Sequence, residues 1–256
     1  MLLSTGQFFG QGSDNPTIYP LDGFSPTQAF SMSRDLLTAF SGSPRYTTST
    51  GINAWKDQSG SARDVSQATG ANQPAVSTAG PNSRECADFD GSNDSLVGVT
   101  ALSSLITNSA GFYVASVIID TFPTNSALSY QNSGILMDSG VFAGLTVRSN
   151  GGSPLVYAYN WDGNEDRAEA SVAAATPYVL SWRHEGGNLY VGVNGVESAP
   201  TASGNTSTMT GTQRVGNSSG VTVFDGKIFE MASFSTVPSS GDRSAIIADF
   251  MAWIGA

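Results

Sequence analysis

The sequence predicts an all-β protein, an antiparallel β-sandwich with one N-terminal and one C-terminal helix. Three observations lead to this fold class: apolar runs of strand length, turn signals between those runs, and a composition rich in glycine but poor in charge. The chain has 256 residues, of which 29 are glycine and 12% are charged. Many short strands joined by glycine-rich turns have this composition, and single all-β domains commonly reach this length.

Residues 1–24 form a segment that differs from the rest of the chain. Four glycines alternate with apolar residues there, and Pro16 and Pro20 interrupt any regular element. Because an irregular but apolar segment is poorly explained as a free tail, we expect an arm that packs on its own domain or on a partner chain. The apolar arm residues expected to make these contacts are Phe8, Phe9, Ile18 and Tyr19. Residues 25–256 then form the sandwich domain.

A helix is predicted directly after the arm. Ser25, Pro26 and Gln28 have the spacing of a capping box, with Ser25 as the N-cap and proline at the first helical position. The apolar residues of 29–40 fall on one face at helical spacing, and Gly42 ends the helix. This helix is expected to pack on the sandwich.

The strands begin at about residue 50. The apolar run 112–119 predicts a strand buried on both faces. Residues 178–183 and 189–193 predict a hairpin, and Asn194-Gly195 has the sequence of a tight type I′ turn. Further strands are predicted at 141–148, 154–160, 212–216 and 226–235.

The last element is a helix that begins near Ser239 and ends at Gly255. Its apolar residues form one stripe, Ile246, Ile247, Phe250, Met251, Trp253 and Ile254. This stripe is expected to cover an edge or an end of the sandwich.

Short motifs along residues 25–256 resemble a known group of domains. The stretches WKDQSG at 55–60, FDGSNDSL at 89–96 and FDGKIFE at 224–230 occur in order. The series is similar to the laminin-G-like and concanavalin A-like jelly-roll domains of bacterial and phage proteins. Together with the segment 29–42, it also looks like the catalytic domain of fungal α-L-arabinofuranosidase B and a group of phage structural proteins. The resemblance implies a concanavalin A-like jelly roll.

The catalytic residues of the arabinofuranosidase do not carry over onto this sequence. The position of its acid aspartate is best matched by Asn217, and the region comparable to that of its glutamate nucleophile, 155–162, contains no glutamate. An amide cannot donate a proton as a carboxylic acid does. The lone Cys86 cannot reproduce the disulfides of the enzyme. We therefore expect no catalytic residues and no enzyme activity.

Composition excludes several other classes. A net charge of −10 with scattered Lys and Arg opposes binding to nucleic acid, and no stretch approaches the 18 apolar residues of a membrane span. One histidine, His184, and one cysteine are too few for a closed zinc site. His184 is expected to be exposed at a hairpin tip, and Cys86 to be a buried small hydrophobe. No cofactor is predicted apart from a candidate calcium ion.

Two candidate ligand sites lie next to each other. Asp162, Asn164 and Asp166 collect oxygen ligands in what looks like a loop, so they are candidate calcium ligands, and a solvated acidic turn is the alternative. Tyr159 and Trp161 share one face of a strand with Tyr157, and with Asp162 they are the candidate carbohydrate-binding residues. Core packing explains the aromatic residues equally well.

The leading functional hypothesis is a phage virion structural protein, carried on the capsid as a decoration or on the tail. The start of the sequence lacks the basic and apolar regions of a signal peptide, so the protein is expected to be made in the host cytoplasm and located in the virion. The arm would bind other virion proteins, the chain would form a homo-oligomer, and the loops would contact a host-surface glycan. The alternatives are a carbohydrate-binding adhesin domain and a degenerate glycoside hydrolase.

Overall fold

The computed structural model describes residues 19–40, 44–101, 110–123, 133–138, 144–150, 152–161, 165–204, 211–217 and 223–256. The strands, numbered along the chain, are β1 (Gln28–Ser31), β2 (Tyr46–Thr48), β3 (Ile52–Trp55), β4 (Val65–Ser66), β5 (Ala75–Ser77), β6 (Cys86–Asp90), β7 (Leu96–Ala101), β8 (Ala110–Thr121), β9 (Ser133–Asp138), β10 (Gly144–Asn150), β11 (Ser153–Trp161), β12 (Glu165–Ser171), β13 (Pro177–Glu185), β14 (Asn188–Val193), β15 (Val196–Glu197), β16 (Thr201–Ala202), β17 (Thr212–Val215) and β18 (Asp225–Phe234). One α-helix, α1 (Ser240–Ile254), follows them, and three short 3-10 helices cover Thr38–Phe40, Gly70–Asn72 and Pro81–Ser83.

These strands form two antiparallel sheets, as the sequence predicts. Sheet A has the order β15-β14-β13-β8-β18-β6-β5, with β1 paired to β18 and β16 paired to β14. Sheet B has the order β12-β11-β10-β9-β17-β7-β4-β3-β2. The predicted β-sandwich is therefore confirmed, and so are the strands predicted near 112, 141, 154, 178, 189, 212 and 226.

Strand β8 shows why sheet A is covered on both sides. Its odd-numbered residues from Tyr113 to Ile119 lie in the core between the two sheets, because side chains alternate across a strand. Phe112, Val114 and Ile118 lie in a second apolar cluster on the opposite face of sheet A. The second cluster is closed by α1 and by the chain around Leu21 and Leu36.

The C-terminal helix is confirmed at both ends. Ser239 is the N-cap, and its Oγ accepts a hydrogen bond of 3.2 Å from the backbone N–H of Asp242. Gly255 ends the helix with a φ of 72°, in the left-handed region that glycine adopts without strain. Four apolar residues of α1 are buried against sheet A, namely Ile246, Ile247, Phe250 and Ile254.

The helix predicted from Ser25 is wrong. Gln28–Ser31 is strand β1, which pairs with β18, and Ser25 has a φ of 46°. Phe30 lies in the core between the sheets, whereas its neighbour Ala29 lies in the second cluster. Both faces of this segment are thus buried, which is the pattern of a strand packed inside the sandwich and not of a surface helix. Local capping signals were overridden by pairing with β18.

A buried ion pair attaches this segment to sheet A. The guanidinium of Arg34 donates to both carboxylate oxygens of Glu230, at 2.6 and 2.7 Å, and the side chain of Glu230 is 0% exposed. Arg34 also donates to Asp249 of α1 at 2.5 Å. One side chain therefore joins the N-terminal segment, β18 and α1.

Other local predictions are also settled by the fold. The turn at Asn194-Gly195 has φ values of 48° and 82°, as a type I′ turn requires. Cys86 is buried, as expected. In the part of the chain that the structure describes, no helix is long and apolar enough to cross a membrane.

Candidate functional site

The outer face of sheet B carries the chemistry-bearing side chains of strands β10 to β12. In β11, Val156 and Ala158 lie in the core between the sheets, so Tyr157 and Tyr159 point to the other side of the sheet. By the same alternation, the outer side chains of β10 and β12 flank those tyrosines. We call this surface the β10–β12 face, and its residues are Thr146, Arg148, Tyr157, Tyr159, Arg167 and Glu169.

Arg148 and Tyr157 are the centre of the β10–β12 face. Arg148 Nε donates to the hydroxyl of Tyr157 at 2.7 Å, and its guanidinium carbon is 4.7 Å from the centroid of the Tyr157 ring. The guanidinium carbon of Arg167 lies 5.5 Å from the same ring. Tyr157 is 1% exposed. Burial raises the pKa of its hydroxyl, and the bond from Arg148 offsets part of that rise. The hydroxyl therefore stays protonated at neutral pH, and it orients Arg148.

Strand β12 opens this face to solvent at the edge of the sheet. Glu169 is directly opposite Tyr157 in register, and its side chain is 50% exposed. Its Oε2 is 3.6 Å from Arg167 Nε, which is longer than a hydrogen bond. A cavity of about 380 Å³ lies between these two residues and the segment Ser198, Ala199 and Thr201. This volume is in the range of small-molecule sites.

The structure places the predicted carbohydrate and calcium residues only in part. Tyr159 is in β11 and is 2% exposed, and Trp161 ends β11 opposite Glu165. Asp166 lies in strand β12, opposite Asn160. Asp162 and Asn164 lie outside the described residues. Among the side chains that the structure describes, no group of three or more His, Cys, Asp or Glu is placed to hold a metal ion.

The predicted arm is described only at its end. Phe8, Phe9 and Ile18 lie outside the described residues, while Tyr19 begins the described chain, just before a turn. Leu21 is fully buried in the second apolar cluster. At least this part of residues 1–24 packs on the sandwich itself.

Three residues of the β10–β12 face were missed by the sequence argument. No strand was predicted at 165–171, but Arg167 and Glu169 belong to β12, which pairs with β11. Arg148 has no motif around it, and only the β10–β11 register brings it beside Tyr157. Alternating charged and small residues at 165–171 are the one signal that could have indicated a strand here.

Two residues discussed in the sequence analysis, His184 and Asn217, are buried. His184 is 1% exposed in β13, with its ring 6.2 Å from that of Trp182, so the exposed histidine expected from the sequence is wrong. Asn217 is 7% exposed and forms a β-bridge with Val223 after the end of β17.

A larger cavity, of about 410 Å³, lies between α1 and the β14–β15 turn. Glu197 lines this cavity, and its carboxylate accepts hydrogen bonds from Arg183 Nε at 2.8 Å and from Arg183 Nη2 at 2.6 Å. These hydrogen bonds lower the pKa of Glu197. The arginine of this cavity, Arg243, donates to the carbonyl of Pro238. Both charged groups of this cavity are thus held by partners within the chain.

Comparison with solved structures gives the same fold in glycoside hydrolases. A GH54 α-L-arabinofuranosidase soaked with a cyclic sulfate inhibitor matches 93% of this chain and 66% of its own length, with 13% identity and a TM-score of 0.64. The Trypanosoma rangeli sialidase in complex with sialic acid matches 88% of this chain and 33% of its own, with 16% identity and a TM-score of 0.57. The chain thus spans only a third of the sialidase. No protein-family model and no curated protein matches the sequence.

These similarities correct one expectation and support another. The prediction that the chain is not an enzyme is contradicted, because the similar structures named above are glycoside hydrolases. The resemblance to arabinofuranosidases is confirmed at the level of the fold, which is all that identities of 13 to 17% show. The matches give no support to a phage structural role.

Proposed function

We propose that this protein is a carbohydrate-active β-sandwich that binds a glycan at the β10–β12 face. The observation that carries the proposal is the cavity beside β12, which is lined by the exposed carboxylate of Glu169 and by Arg167. The guanidinium carbon of Arg167 is also 5.5 Å from the ring of Tyr157. Sugar hydroxyls donate to carboxylates and accept from guanidinium groups, and such charge-assisted hydrogen bonds are the stronger ones. The similarity to sugar-processing enzymes supports this class of ligand.

Saturation-transfer NMR and calorimetry with a panel of neutral and acidic oligosaccharides test this proposal. The panel includes the two sugars bound by similar structures, arabinofuranosyl-α-1,2-xylobiose and sialic acid. The Glu169→Gln variant loses one hydrogen bond to a charged group, so its dissociation constant for the sugar is expected to rise by about tenfold or more.

Glu185→Gln is the matched control for this experiment. Glu185 is 51% exposed and pairs with an arginine, as Glu169 does, but it lies in sheet A. Binding that is weakened by Glu169→Gln and unchanged by Glu185→Gln supports the proposed site. No binding to any sugar of the panel, or equal effects of both substitutions, would overturn it.

Hydrolysis of a glycosidic bond is a second candidate function. Glu165 and Glu169 are four residues apart in β12, so strand alternation places both positions on the same face, and glycosidases use a pair of carboxyl groups. The assay is release of nitrophenol from 4-nitrophenyl α-L-arabinofuranoside, a compound soaked into one of the similar enzymes. Release that disappears in Glu169→Gln supports arabinofuranosidase activity, and release no faster than without protein contradicts it.

Assembly on a virion through residues 1–24, with partner proteins and a homo-oligomeric state, stays a prediction from the sequence. Its basis is the apolar composition of that segment. Removing residues 1–18 and measuring co-sedimentation with phage particles would test it.

A further inference from the structure

We infer that the glycan bound at the β10–β12 face is an acidic sugar, whose carboxylate is held by Arg148. The inference rests on the proposed glycan-binding function and specifies its substrate class. Arg148 is 2% exposed, and its Nη2 has no hydrogen-bond partner among the described residues. A buried charge that no opposite charge neutralises is unfavourable. Since Arg148 meets a hydroxyl but no carboxylate among the described residues, its guanidinium is arranged for an anion that the described chain does not supply.

Two other largely buried arginines of the described chain, Arg34 and Arg183, provide a comparison. Arg34 binds Glu230 and Asp249 at 2.5 to 2.7 Å, and Arg183 binds Glu185 and Glu197 at 2.6 to 2.8 Å. In both cases the guanidinium meets two carboxylates. The one side-chain partner of Arg148 in the described part is the hydroxyl of Tyr157. Unlike Arg34 and Arg183, Arg148 therefore meets no carboxylate among the described residues.

Two further donors lie on the same side of sheet B. Thr146 is fully buried, two residues before Arg148 on β10, and its Oγ1 has no partner in the described chain. Arg214 of β17 lies next to Val215, which faces the core. Its Nε is likewise buried without a partner among the described residues. A surface that presents unused donors selects a ligand rich in acceptors.

Charge and geometry favour a single carboxylate over a polyanion. The chain has a net charge of −10, which repels polyanions at long range, whereas Arg148 and Arg167 supply positive charge on the face itself. A planar guanidinium fork matches a carboxylate in a bidentate geometry. Tyr157 fixes Nε of Arg148, so the unpartnered Nη2 is already oriented before the ligand binds.

The test compares sialic acid and glucuronic acid with their uncharged methyl esters by calorimetry. The wild-type chain is expected to bind at least one acid about tenfold or more tightly than its ester, the difference expected for a hydrogen bond to a charged group. Arg148→Gln is expected to abolish that preference, and Arg148→Lys to restore only part of it, because lysine lacks the fork.

Tyr157→Phe is a second variant that keeps the charge and removes only the hydroxyl that positions Arg148. Its matched control is Tyr190→Phe, since Tyr190 also lies under an arginine, at 3.5 Å from Arg183, but in sheet A. Tyr157→Phe is expected to lose less of the preference for the acid than Arg148→Gln does, and Tyr190→Phe is expected to lose none. This pattern supports the inference.

The outcomes separate this inference from the proposed function. Equal affinity for acid and ester, or an acid preference retained in Arg148→Gln, overturns the acidic sugar and leaves glycan binding in place. Failure of every sugar overturns both proposals. In the ligand-free protein Arg148→Gln should lower the melting temperature less than Arg183→Gln does, because Arg148 bonds one hydroxyl whereas Arg183 binds two carboxylates. A fall as large as that of Arg183→Gln would make Arg148 a structural residue and would refute its ligand role.

Discussion

Replacing Glu230 by glutamine tests whether the buried Arg34–Glu230 pair holds the N-terminal segment on the sandwich. The carboxylate accepts hydrogen bonds from Arg34 Nε at 2.6 Å, from Arg34 Nη2 at 2.7 Å and from Ser31 Oγ at 2.9 Å. In the Glu230→Gln variant the side-chain amide keeps one acceptor oxygen, but its NH₂ group faces a donor of Arg34. Arg34 is then left with Asp249, whose side chain is 37% exposed.

Removing one partner of a buried ion pair costs about 3–5 kcal/mol. Since the substitution retains one acceptor, we expect the lower end, about 3 kcal/mol, for Glu230→Gln. In a domain of this size 1 kcal/mol corresponds to roughly 2–4 °C, so the melting temperature should fall by about 6–12 °C. Scanning calorimetry measures this shift, and urea unfolding at 25 °C measures the change in free energy of unfolding.

Glu185→Gln is the control, because Glu185 pairs with Arg183 at 2.7 Å but is 51% exposed. An exposed ion pair contributes less than about 1 kcal/mol, and Arg183 keeps Glu197 as a partner. If Glu230→Gln lowers the stability no more than Glu185→Gln does, the buried pair does not anchor the segment and the reasoning fails.

Two further predictions concern backbone and charge. Gly226 has a φ of 153°, and a Cβ there would be 2.3 Å from the carbonyl oxygen of Ile118, whereas Gly186, with a φ of 59°, has no atom within 4 Å of such a Cβ. Gly186→Ala should lower the free energy of unfolding by about 1–2 kcal/mol through backbone strain alone. Gly226→Ala should lower it clearly more, because a steric clash is added to the strain. Equal decreases in urea unfolding would contradict the steric argument. Burial raises the pKa of Asp94 from 3.8 to about 6. The folded state therefore binds this proton more firmly than the unfolded state does. The contribution of protonated Asp94 to the free energy of unfolding is lost as the pH rises from about 4 to about 6. Asp94→Asn should remove that part of the pH dependence in urea titrations at pH 4 to 7, and an unchanged slope would show that Asp94 does not cause it.

Much of the fold follows from local sequence. The α1 boundaries follow from the Ser239 cap and Gly255, and the Asn194-Gly195 turn follows from the positive φ that these two residues accept. Strand β8 is evident from its continuous apolar run, since a central strand buries both faces over a few residues. In each case the physical cause lies within a few residues, so the sequence is sufficient.

The candidate site is predicted only where strand alternation is enough. Alternation alone places Tyr157 and Tyr159 on one face. The partners of these tyrosines depend on register between strands, because a shift of one residue would exchange every side chain between the core and the outer face. Arg148 meets Tyr157, and Glu169 lies opposite it, only in the observed β10–β11 and β11–β12 registers.

Caps, glycines and apolar periods act within one element, so the sandwich, the C-terminal helix and the tight turns can be read from the amino-acid order. The strand at 28–31 and the burial of Arg148 without a carboxylate became evident only in the folded chain. Pairing with β18 outweighed a local capping box, since burial on two faces stabilises more than a cap does. Whether a charge is paired depends on side chains far away in the sequence, and no local pattern encodes that.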